Sequence, residues 1–196
     1  MIQFNWVGHR INQIPNARVL DVGAGIKALK KGLKPEVIYH SLDCEGEQTY
    51  KLNLEKRPLR VRLDYYNVIV LMDILEHCTE PDKVMEEMKV IAADNATFFI
   101  ALPNEYSWVF RLYHLFGHIT KMDTPFQIVT QHLHIHRPRV KDIKAFCEKH
   151  LNIQETEFMW YAESCPGWFN AIMNGMAKVL PSLFAKEVLI RGVMKE

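Results

Sequence analysis

Short apolar runs alternate with amphipathic segments along most of the chain. Three apolar runs have the length of buried strands, namely "RVLDV" (18–22), "NVIVLMD" (67–73) and "ATFFIALPN" (96–104). The first is followed by a glycine and the third contains a proline near its end. Two segments between them, "GIKALKKGLKP" (25–35) and "CTEPDKVMEEMKVIAAD" (78–94), carry apolar residues at helical spacing. The pattern therefore predicts alternating strands and helices, with one helix directly after the first glycine turn.

The rest of the chain continues this alternation. We predict further strands at 36–43, 49–54, 152–161 and 185–195, and helices at 105–119, 137–151 and 168–180. Strands that alternate with helices favour an α/β fold, in which a mostly parallel sheet carries helices on both faces. Ligands bind such sheets beyond the carboxyl ends of the strands, so candidate site residues are expected there.

Composition narrows the class of protein. With 196 residues, the chain is long enough for one domain with a substantial core, so we predict a single domain over residues 1–196. The net charge of +1 gives no electrostatic indication of nucleic-acid binding. The four cysteines form no C-x-x-C pair, which argues against a disulfide framework and favours the cytoplasm. No apolar run approaches the about 20 residues needed to cross a bilayer, so no transmembrane segment is expected.

The turn within "RVLDVGAGIKALKKGL" (18–33) is typical of a site for a nucleotide-like cofactor. Gly23 and Gly25 allow the backbone to approach a ligand closely, and a following helix would offer free N–H groups. The letters "GAGIKA" fit the dinucleotide pattern G-x-G-x-x-G/A, while "DVGAGIK" nearly fits the D-x-G-x-G-x-G loop of S-adenosylmethionine enzymes. Asp43, at the end of the second strand, could accept hydrogen bonds from two ribose hydroxyls of either cofactor. The turn alone leaves both cofactors open.

The segment "LMDILEHCTEPDKVMEE" (71–87) is more specific. Its pattern of strand, D-I-L-E-H and proline-started helix resembles the D-x-L-E-H segment of class I S-adenosylmethionine-dependent methyltransferases. The nearest subgroup is the small-molecule one that includes the ubiquinone-biosynthesis type. "RVLDVGAG", "SLD", "FFIALPN" and "LFAKEVLIRGVMK" are similar to other segments of that family, so the resemblance covers roughly residues 17–195. It implies a Rossmann-like, mostly parallel seven-stranded sheet with an antiparallel last strand, and S-adenosyl-L-methionine as the cofactor.

The resemblance also implies roles for individual residues at the strand ends. Asp21 would lie near the methionine amino group, Gly23, Ala24 and Gly25 around methionine and ribose, Asp43 at the ribose hydroxyls, Cys44, Asn53 and Leu54 at the adenine, and Asp73 and Ile74 near the sulfonium.

Three features depart from the family pattern. Lys27 replaces the third glycine of the loop, and Asn53 replaces an acid. Only "CEGEQT" separates Asp43 from Tyr50, whereas a parallel crossover normally takes a dozen or more residues. We therefore expect the helix between the second and third strands to be missing and the adenine pocket to be more open.

Residues 104–137 follow the fifth strand, where this family places insertions over the acceptor site. Their aromatic residues indicate a lid over a small-molecule acceptor of apolar or amphiphilic character. Methyl transfer needs an aligned nucleophile, and a base only when the acceptor must lose a proton. The candidate bases are His77, His132 and His134, with His136 beside them.

Other readings of these features stay open. The histidines of "QHLHIH" (131–136), with His114 and His118, have spacings that metal ligands can show, but they are also consistent with a structural role. Because there is no H-E-x-x-H motif, we predict no metal. We predict an S-adenosylmethionine-dependent methyltransferase. The alternatives are a non-catalytic binding module of the same fold and an NAD-dependent oxidoreductase, which would need a second domain and leaves "DILEH" unexplained.

Overall fold

A computed structural model describes residues 2–115, 134–162 and 164–195. Seven strands form one sheet in the order β3–β2–β1–β4–β5–β7–β6. They are β1 (Arg18–Val22), β2 (Ile38–Asp43), β3 (Tyr50–Lys51), β4 (Tyr66–Met72), β5 (Ala92–Pro103), β6 (Leu151–Met159) and β7 (Glu187–Met194). The first five strands pair in parallel, whereas β7 runs antiparallel to both β5 and β6. The predicted fold class, including the antiparallel last strand, is confirmed.

Helices lie on both faces of this sheet. They are α1 (Ile2–Ile11), α2 (Pro81–Ile91), α3 (Trp108–Leu115), α4 (Val140–His150), α5 (Gly167–Val179) and α6 (Pro181–Phe184). Successive side chains of β4 point to opposite faces, so Ile69 packs in the core with α2 and α4 while Val68 and Val70 pack with α1. Burial on both faces fixes the central strands and therefore the positions of their carboxyl ends.

The predicted helix at 25–35 is wrong. A short 3₁₀ helix, Leu29–Gly32, forms in its place, and Leu29 is its buried side chain. Gly25 and Lys27 have φ angles of +47° and +56°, which are incompatible with a right-handed helix at these positions. Ile26, expected on the buried stripe, is 78% exposed. The glycine loop therefore lacks the α-helix N-terminus that was expected to attract a carboxylate.

The connection from β2 to β3 contains no helix, as predicted, and residues 44–47 form bends. Parallel pairing is nevertheless possible because β3 is only two residues long and lies beside the carboxyl end of β2, with Leu42 opposite Tyr50. Ser41 and Thr49 strengthen the junction, since each backbone N–H donates to the other's hydroxyl at 3.1 Å. The chain does not have to return along the whole of β2, so a short connection suffices.

The second half of the chain also follows the predicted order. The expected helices at 137–151 and 168–180 correspond to α4 and α5, and the one at 105–119 corresponds to α3 as far as residue 115. Residues 116–133 of the expected lid lie outside the described residues. The helix α1 was not predicted. Across the described ranges, no helix combines the length and the apolar character that crossing a membrane requires.

Candidate functional site

The glycine loop after β1 touches the turn after β4. Gly23 has a φ of +72°, and a Cβ built on it would lie 2.6 Å from Cγ1 of Ile74. No larger residue fits at this position without displacing Ile74, and a side chain there would also strain the backbone. The structure thus brings together two of the predicted cofactor-binding residues, one from each strand end.

Asp43 closes the glycine loop from the side of β2. Its Oδ2 accepts the backbone N–H of Gly25 at 2.9 Å, and its Oδ1 accepts that of Glu45 at 3.0 Å. The Gln48 amide donates to the carbonyl oxygens of Gly25 and Glu45, both at 3.0 Å. At the other end of the loop, Ala24 donates its N–H to the carbonyl of Leu42 at 3.2 Å. Ribose hydroxyls at Asp43 would therefore share or replace bonds that the chain already makes.

Asp21 lies under this loop and is only 3% exposed. The Tyr39 hydroxyl donates to its Oδ2 at 2.6 Å. Burial raises the pKa of Asp21 to about 6, and the negative charge of Asp43 adds to this, while the bond from Tyr39 opposes it. Asp21 is therefore a carboxylate that gains from a cationic ligand.

The three residues predicted at the adenine are in different environments. Cys44 is exposed. Asn53 is also exposed, and its Oδ1 accepts the N–H of Glu55 at 2.8 Å, which is a local turn. Leu54 is 9% exposed and packs in the core that contains Leu42. Among the described residues no contact is seen that joins Asn53 to the glycine loop.

Asp73, at the end of β4, is half-buried and has a φ of +51°. Its backbone N–H donates to the carbonyl of Ala101 at 3.1 Å. Burial raises the pKa of Asp73, whereas hydrogen bonds with Gln3 and Glu187 lower it. Glu187 is the other member of this pair, and burial together with the charge of Asp73 raises its pKa to about 9. The Glu187 carboxyl is therefore protonated more readily than an exposed glutamate.

Gln3 and Glu187 were missed by the sequence analysis. Gln3 lies on the unpredicted helix α1, so no sequence signal placed it at the site. Glu187 had a usable signal, because the first residue of an antiparallel strand lies at the sheet edge where parallel strands end.

A second group of polar side chains lies next to Asp73. Glu76 and His77 belong to a 3₁₀ helix, Leu75–His77, and His134 comes from the far end of the 104–137 segment. The centroids of the imidazole rings of His77 and His134 are 4.7 Å apart, in an edge-to-face arrangement. The two histidines are thus brought together beside the D-I-L-E-H turn, and their catalytic roles stay predictions.

Glu105 bonds one of these histidines. Nδ1 of His134 lies 2.7 Å from Oε1 of Glu105, and this hydrogen bond raises the pKa of His134.

Glu76 is the most deeply buried member of this group. It is 1% exposed, and neither carboxylate oxygen has a hydrogen-bond partner within the parts of the chain that the structure describes. Burial raises the pKa of Glu76 to about 8, and the charge of Asp73 contributes to the rise. Its backbone carbonyl accepts the N–H groups of Ile135 at 2.9 Å and His136 at 3.1 Å, which joins the two segments.

The remaining predicted histidines differ. Nε2 of His136 lies 2.9 Å from the carbonyl oxygen of Cys78, so His136 serves as a structural link to the D-I-L-E-H turn. His132, the third predicted catalytic residue, lies outside the described residues, and so does His118. Glu105, which orients His134, was missed because nothing in the local sequence pairs positions 29 residues apart.

A cavity of about 280 Å³ borders the same turn, on the face of the sheet that α4 covers. Its lining is mostly apolar and includes Leu75, Leu102, Ile143 and Phe146, with Glu76 and His136 among the polar groups. Glu76 therefore belongs both to the histidine group and to the cavity wall. A mostly apolar cavity with a few polar groups is typical of a small-molecule site.

Comparison with known proteins shows which fold this is. No protein-family model and no curated protein sequence matches the chain, but 381 solved chains do. An S-adenosylmethionine-dependent methyltransferase from Archaeoglobus fulgidus is 14% identical, with a TM-score of 0.58, over 99% of this chain and 93% of that one. The YcgJ protein from Bacillus subtilis is 14% identical, with a TM-score of 0.63, over 100% and 99%. Phosphoethanolamine N-methyltransferase 2 of Haemonchus contortus, solved with S-adenosyl-L-methionine bound, is 13% identical, with a TM-score of 0.58, over 98% and 52%.

At these identities the comparison shows the fold. The chain has the sheet architecture of S-adenosylmethionine-dependent methyltransferases, and the glycine loop and the D-I-L-E-H turn lie at the edge where its parallel strands end.

Proposed function

We propose that this protein is an S-adenosylmethionine-dependent methyltransferase that acts on a small-molecule acceptor. One observation carries the proposal. Asp21 and Asp43, at the carboxyl ends of β1 and β2, lie on either side of a glycine loop whose glycines have positive φ angles, and the sheet has the strand order of methyltransferases. An NAD-dependent oxidoreductase is a poorer fit, because dinucleotide-binding sheets have the strand order 3-2-1-4-5-6 without an antiparallel strand inserted beside the fifth.

The environments of the predicted residues support their proposed roles at the cofactor. The buried carboxylate of Asp21 suits the ammonium group of the methionine portion, because a buried charge is stabilised by an opposite charge. Asp43 lies at the loop edge, where it can accept from ribose hydroxyls. Ile74 packs on Gly23 and, with Asp73, would form the floor beside the sulfonium. The adenine contacts of Cys44, Asn53 and Leu54 stay predictions from sequence.

The chemistry requires alignment more than acid–base assistance. The bound cofactor supplies a methyl group on a positively charged sulfur, which is already activated for displacement. The chain's part is to hold the acceptor atom in line with the methyl carbon, and such positioning can contribute about 7–11 kcal/mol. For a hydroxyl acceptor, His134 is the proposed base, with Glu105 holding its ring and stabilising its protonated form. His77 lies next to it, in position to bond the same acceptor.

The acceptor is proposed to enter under the 104–137 segment. Glu105 and His134 come from opposite ends of that segment and meet at 2.7 Å, so both ends are anchored at the site. The apolar cavity beside Glu76 supports an acceptor with an apolar or amphiphilic body. The four cysteines are all free, which fits the reducing cytoplasm as the proposed location.

One observation favours a second candidate, a non-catalytic module that binds the cofactor for regulation or not at all. Both oxygens of Asp43 already accept backbone N–H groups, and the helix that usually follows the glycine loop is replaced by a 3₁₀ turn. Because the polar groups of this loop already bond each other, a ligand would add less binding free energy there.

Calorimetric titration with S-adenosyl-L-methionine, S-adenosylhomocysteine and NAD separates these candidates. We expect binding of the first two and none of NAD. Labelled cofactor and a mixed panel of hydroxyl, amine and carbon acceptors should then yield a labelled product. If neither S-adenosyl compound binds, the proposal is contradicted. If they bind but no acceptor in the panel is methylated, the non-catalytic module is favoured.

A further inference from the structure

We propose that Glu76, His77 and His134 form a binding site for one divalent transition-metal ion, with zinc as the best match. One ligand atom from each residue, a carboxylate oxygen or an imidazole nitrogen, lies within 4.8 Å of the others. Two imidazoles and one carboxylate are a ligand set of catalytic zinc sites, which keep a further position open for water or substrate. With an ion bound, His77 and His134 would be its ligands, so the role of base proposed above for His134 applies to the metal-free protein. The sequence predicted no metal, because these ligands come from two separated segments and follow no metal-binding motif.

Glu76 gives the independent reason to place a cation here. Its side chain is fully buried, and neither oxygen has a hydrogen-bond partner within residues 2–115, 134–162 and 164–195. A buried carboxylate is costly unless it is paired or coordinates a metal. An ion between Glu76 and the two imidazoles would supply the missing partner at the point where the carboxylate needs one.

The separations within the group suit an ion better than direct hydrogen bonds. Oε1 of Glu76 lies 4.0 Å from Nε2 of His77, too far for a hydrogen bond. Metal bonds to imidazole and carboxylate are about 2.0–2.2 Å long, so ligand atoms around one ion lie about 3–3.5 Å apart. Side-chain movements on the order of 1 Å would therefore close the group on an ion.

The chain holds the two ligand-bearing segments together. The carbonyl of Glu76 accepts the N–H groups of Ile135 and His136, the residues directly after His134. Ligands from residues 76, 77 and 134 are thus positioned by backbone bonds at adjacent residues. Such support fixes a site more precisely than side-chain packing alone.

Glu105 completes the arrangement from outside the ligand set. Metal-ligating histidines commonly bond a carboxylate through their second ring nitrogen, which fixes the ring and its tautomer. Oε1 of Glu105 lies 2.7 Å from Nδ1 of His134, and we assign the second ring nitrogen, Nε2, to the ion. Glu105 is therefore a positioning residue for the metal ligand.

The test uses the full chain, stripped with a chelator, and zinc chloride as the probe. Calorimetry and elemental analysis after dialysis should give one zinc per chain, with Mg²⁺ much weaker because it prefers oxygen ligands. Glu76→Gln, His77→Ala and His134→Ala should each weaken zinc binding at least tenfold, and Glu105→Gln roughly tenfold through the ring orientation. His136→Ala is the matched control, because this neighbouring histidine bonds the Cys78 carbonyl and lies outside the group.

Zinc binding that is absent, or that is equally tight in the wild type and in all three ligand variants, overturns the proposal. Thermal unfolding in chelator shows whether each variant folds, and Glu76→Gln, which is isosteric, decides the outcome if a histidine variant does not. Added zinc should raise the melting temperature of the wild type and leave that of Glu76→Gln unchanged. Cofactor titrations on the same stripped samples test the proposed function separately, because neither Asp21 nor Asp43 belongs to the metal group.

Discussion

The sheet edge where the parallel strands end has two halves, and their carboxylates are satisfied in opposite ways. At the ends of β1 and β2, Asp21 accepts a hydroxyl and Asp43 accepts two backbone N–H groups, so the chain itself holds the loop in shape. At the ends of β4 and β7, Asp73 and Glu187 bond each other and Glu76 has no hydrogen-bond partner among the described residues. The first half is organised before a ligand arrives, whereas the second half has buried acids that a proton or a cation must neutralise.

This difference has a consequence for how each half responds to change. Alterations in the first half should affect the backbone and the cofactor affinity together. Alterations in the second half should change chemistry, or ion binding, with little effect on the loop. The following predictions test the first half in order of decreasing effect on cofactor affinity.

The largest effect is expected from Gly23→Ala. The new Cβ meets Ile74 and the backbone has a left-handed φ, so the free energy of unfolding should fall by about 2–3 kcal/mol. Cofactor binding should become undetectable because the loop shifts. Urea denaturation and calorimetry measure the two effects. Gly175→Ala is the control: a Cβ there meets nothing within 4 Å on α5, so it should stabilise by about 0.5–1 kcal/mol.

Asp43→Ala should weaken binding of S-adenosyl-L-methionine roughly 10- to 100-fold. The change removes a charged acceptor from the loop and from the proposed ribose site, and such bonds contribute about 1.5–3 kcal/mol each. Calorimetric titration gives the affinity, with Glu47→Gln, an exposed acid on the same connection, as the control. Equal affinities for Asp43→Ala and the wild type would refute the ribose role.

Asp21 predicts a pH dependence with a definite sign. Its folded pKa of about 6 lies above the ordinary value of 3.8, so the folded state holds the proton more tightly than the unfolded one. Protonation of Asp21 therefore contributes to the free energy of unfolding. This contribution, up to about 3 kcal/mol, is fully present below about pH 4 and is lost as the pH rises through 6.

Ligand affinity should change in the other direction. If the ammonium group needs ionised Asp21, the affinity for S-adenosyl-L-methionine should rise about tenfold from pH 5 to pH 7. Calorimetry across that range checks the slope, and Asp21→Asn should flatten both the affinity and the stability profiles. A wild-type affinity that falls with pH contradicts the assignment.

The smallest effect is expected from Asn53→Ala. Its side chain accepts the N–H of Glu55 in a local turn, so the loss should be about 0.5–1 kcal/mol of stability and less than threefold in cofactor affinity. Thermal unfolding and calorimetry measure these values. A loss of affinity above tenfold would instead restore the sequence-based role of Asn53 at the adenine.

The sheet was predictable from sequence because its strands are apolar runs that end in glycine, proline or acids. The same logic placed Gly23 and Ile74 at one edge, and the structure shows them in contact. The helix at 25–35 failed although its apolar spacing was right. The left-handed conformations at Gly25 and Lys27 override local periodicity, and Ile26 is left 78% exposed.

Partners from distant parts of the chain were beyond sequence reasoning. Gln3 and Glu105 reach the site from a helix and a loop whose own patterns carry no functional signal. Glu76 was recognised as part of a motif, but its burial without a hydrogen-bond partner in the described residues is visible only in three dimensions. Motif letters identified which residues matter, and packing determined what each of them can do.

The anchoring of the 104–137 segment has an evolutionary consequence. Its two ends are joined by the Glu105–His134 bond and by the backbone bond from Glu105 to Pro138, so the segment begins and ends at the same place, as any closed loop of chain does. The entropy cost of closing such a loop grows only by about 0.6 kcal/mol for each doubling of its length. A change in the length of the segment between these anchored ends is therefore expected to cost little stability, so the proposed lid could vary in length and sequence while Glu105 and His134 stay in place.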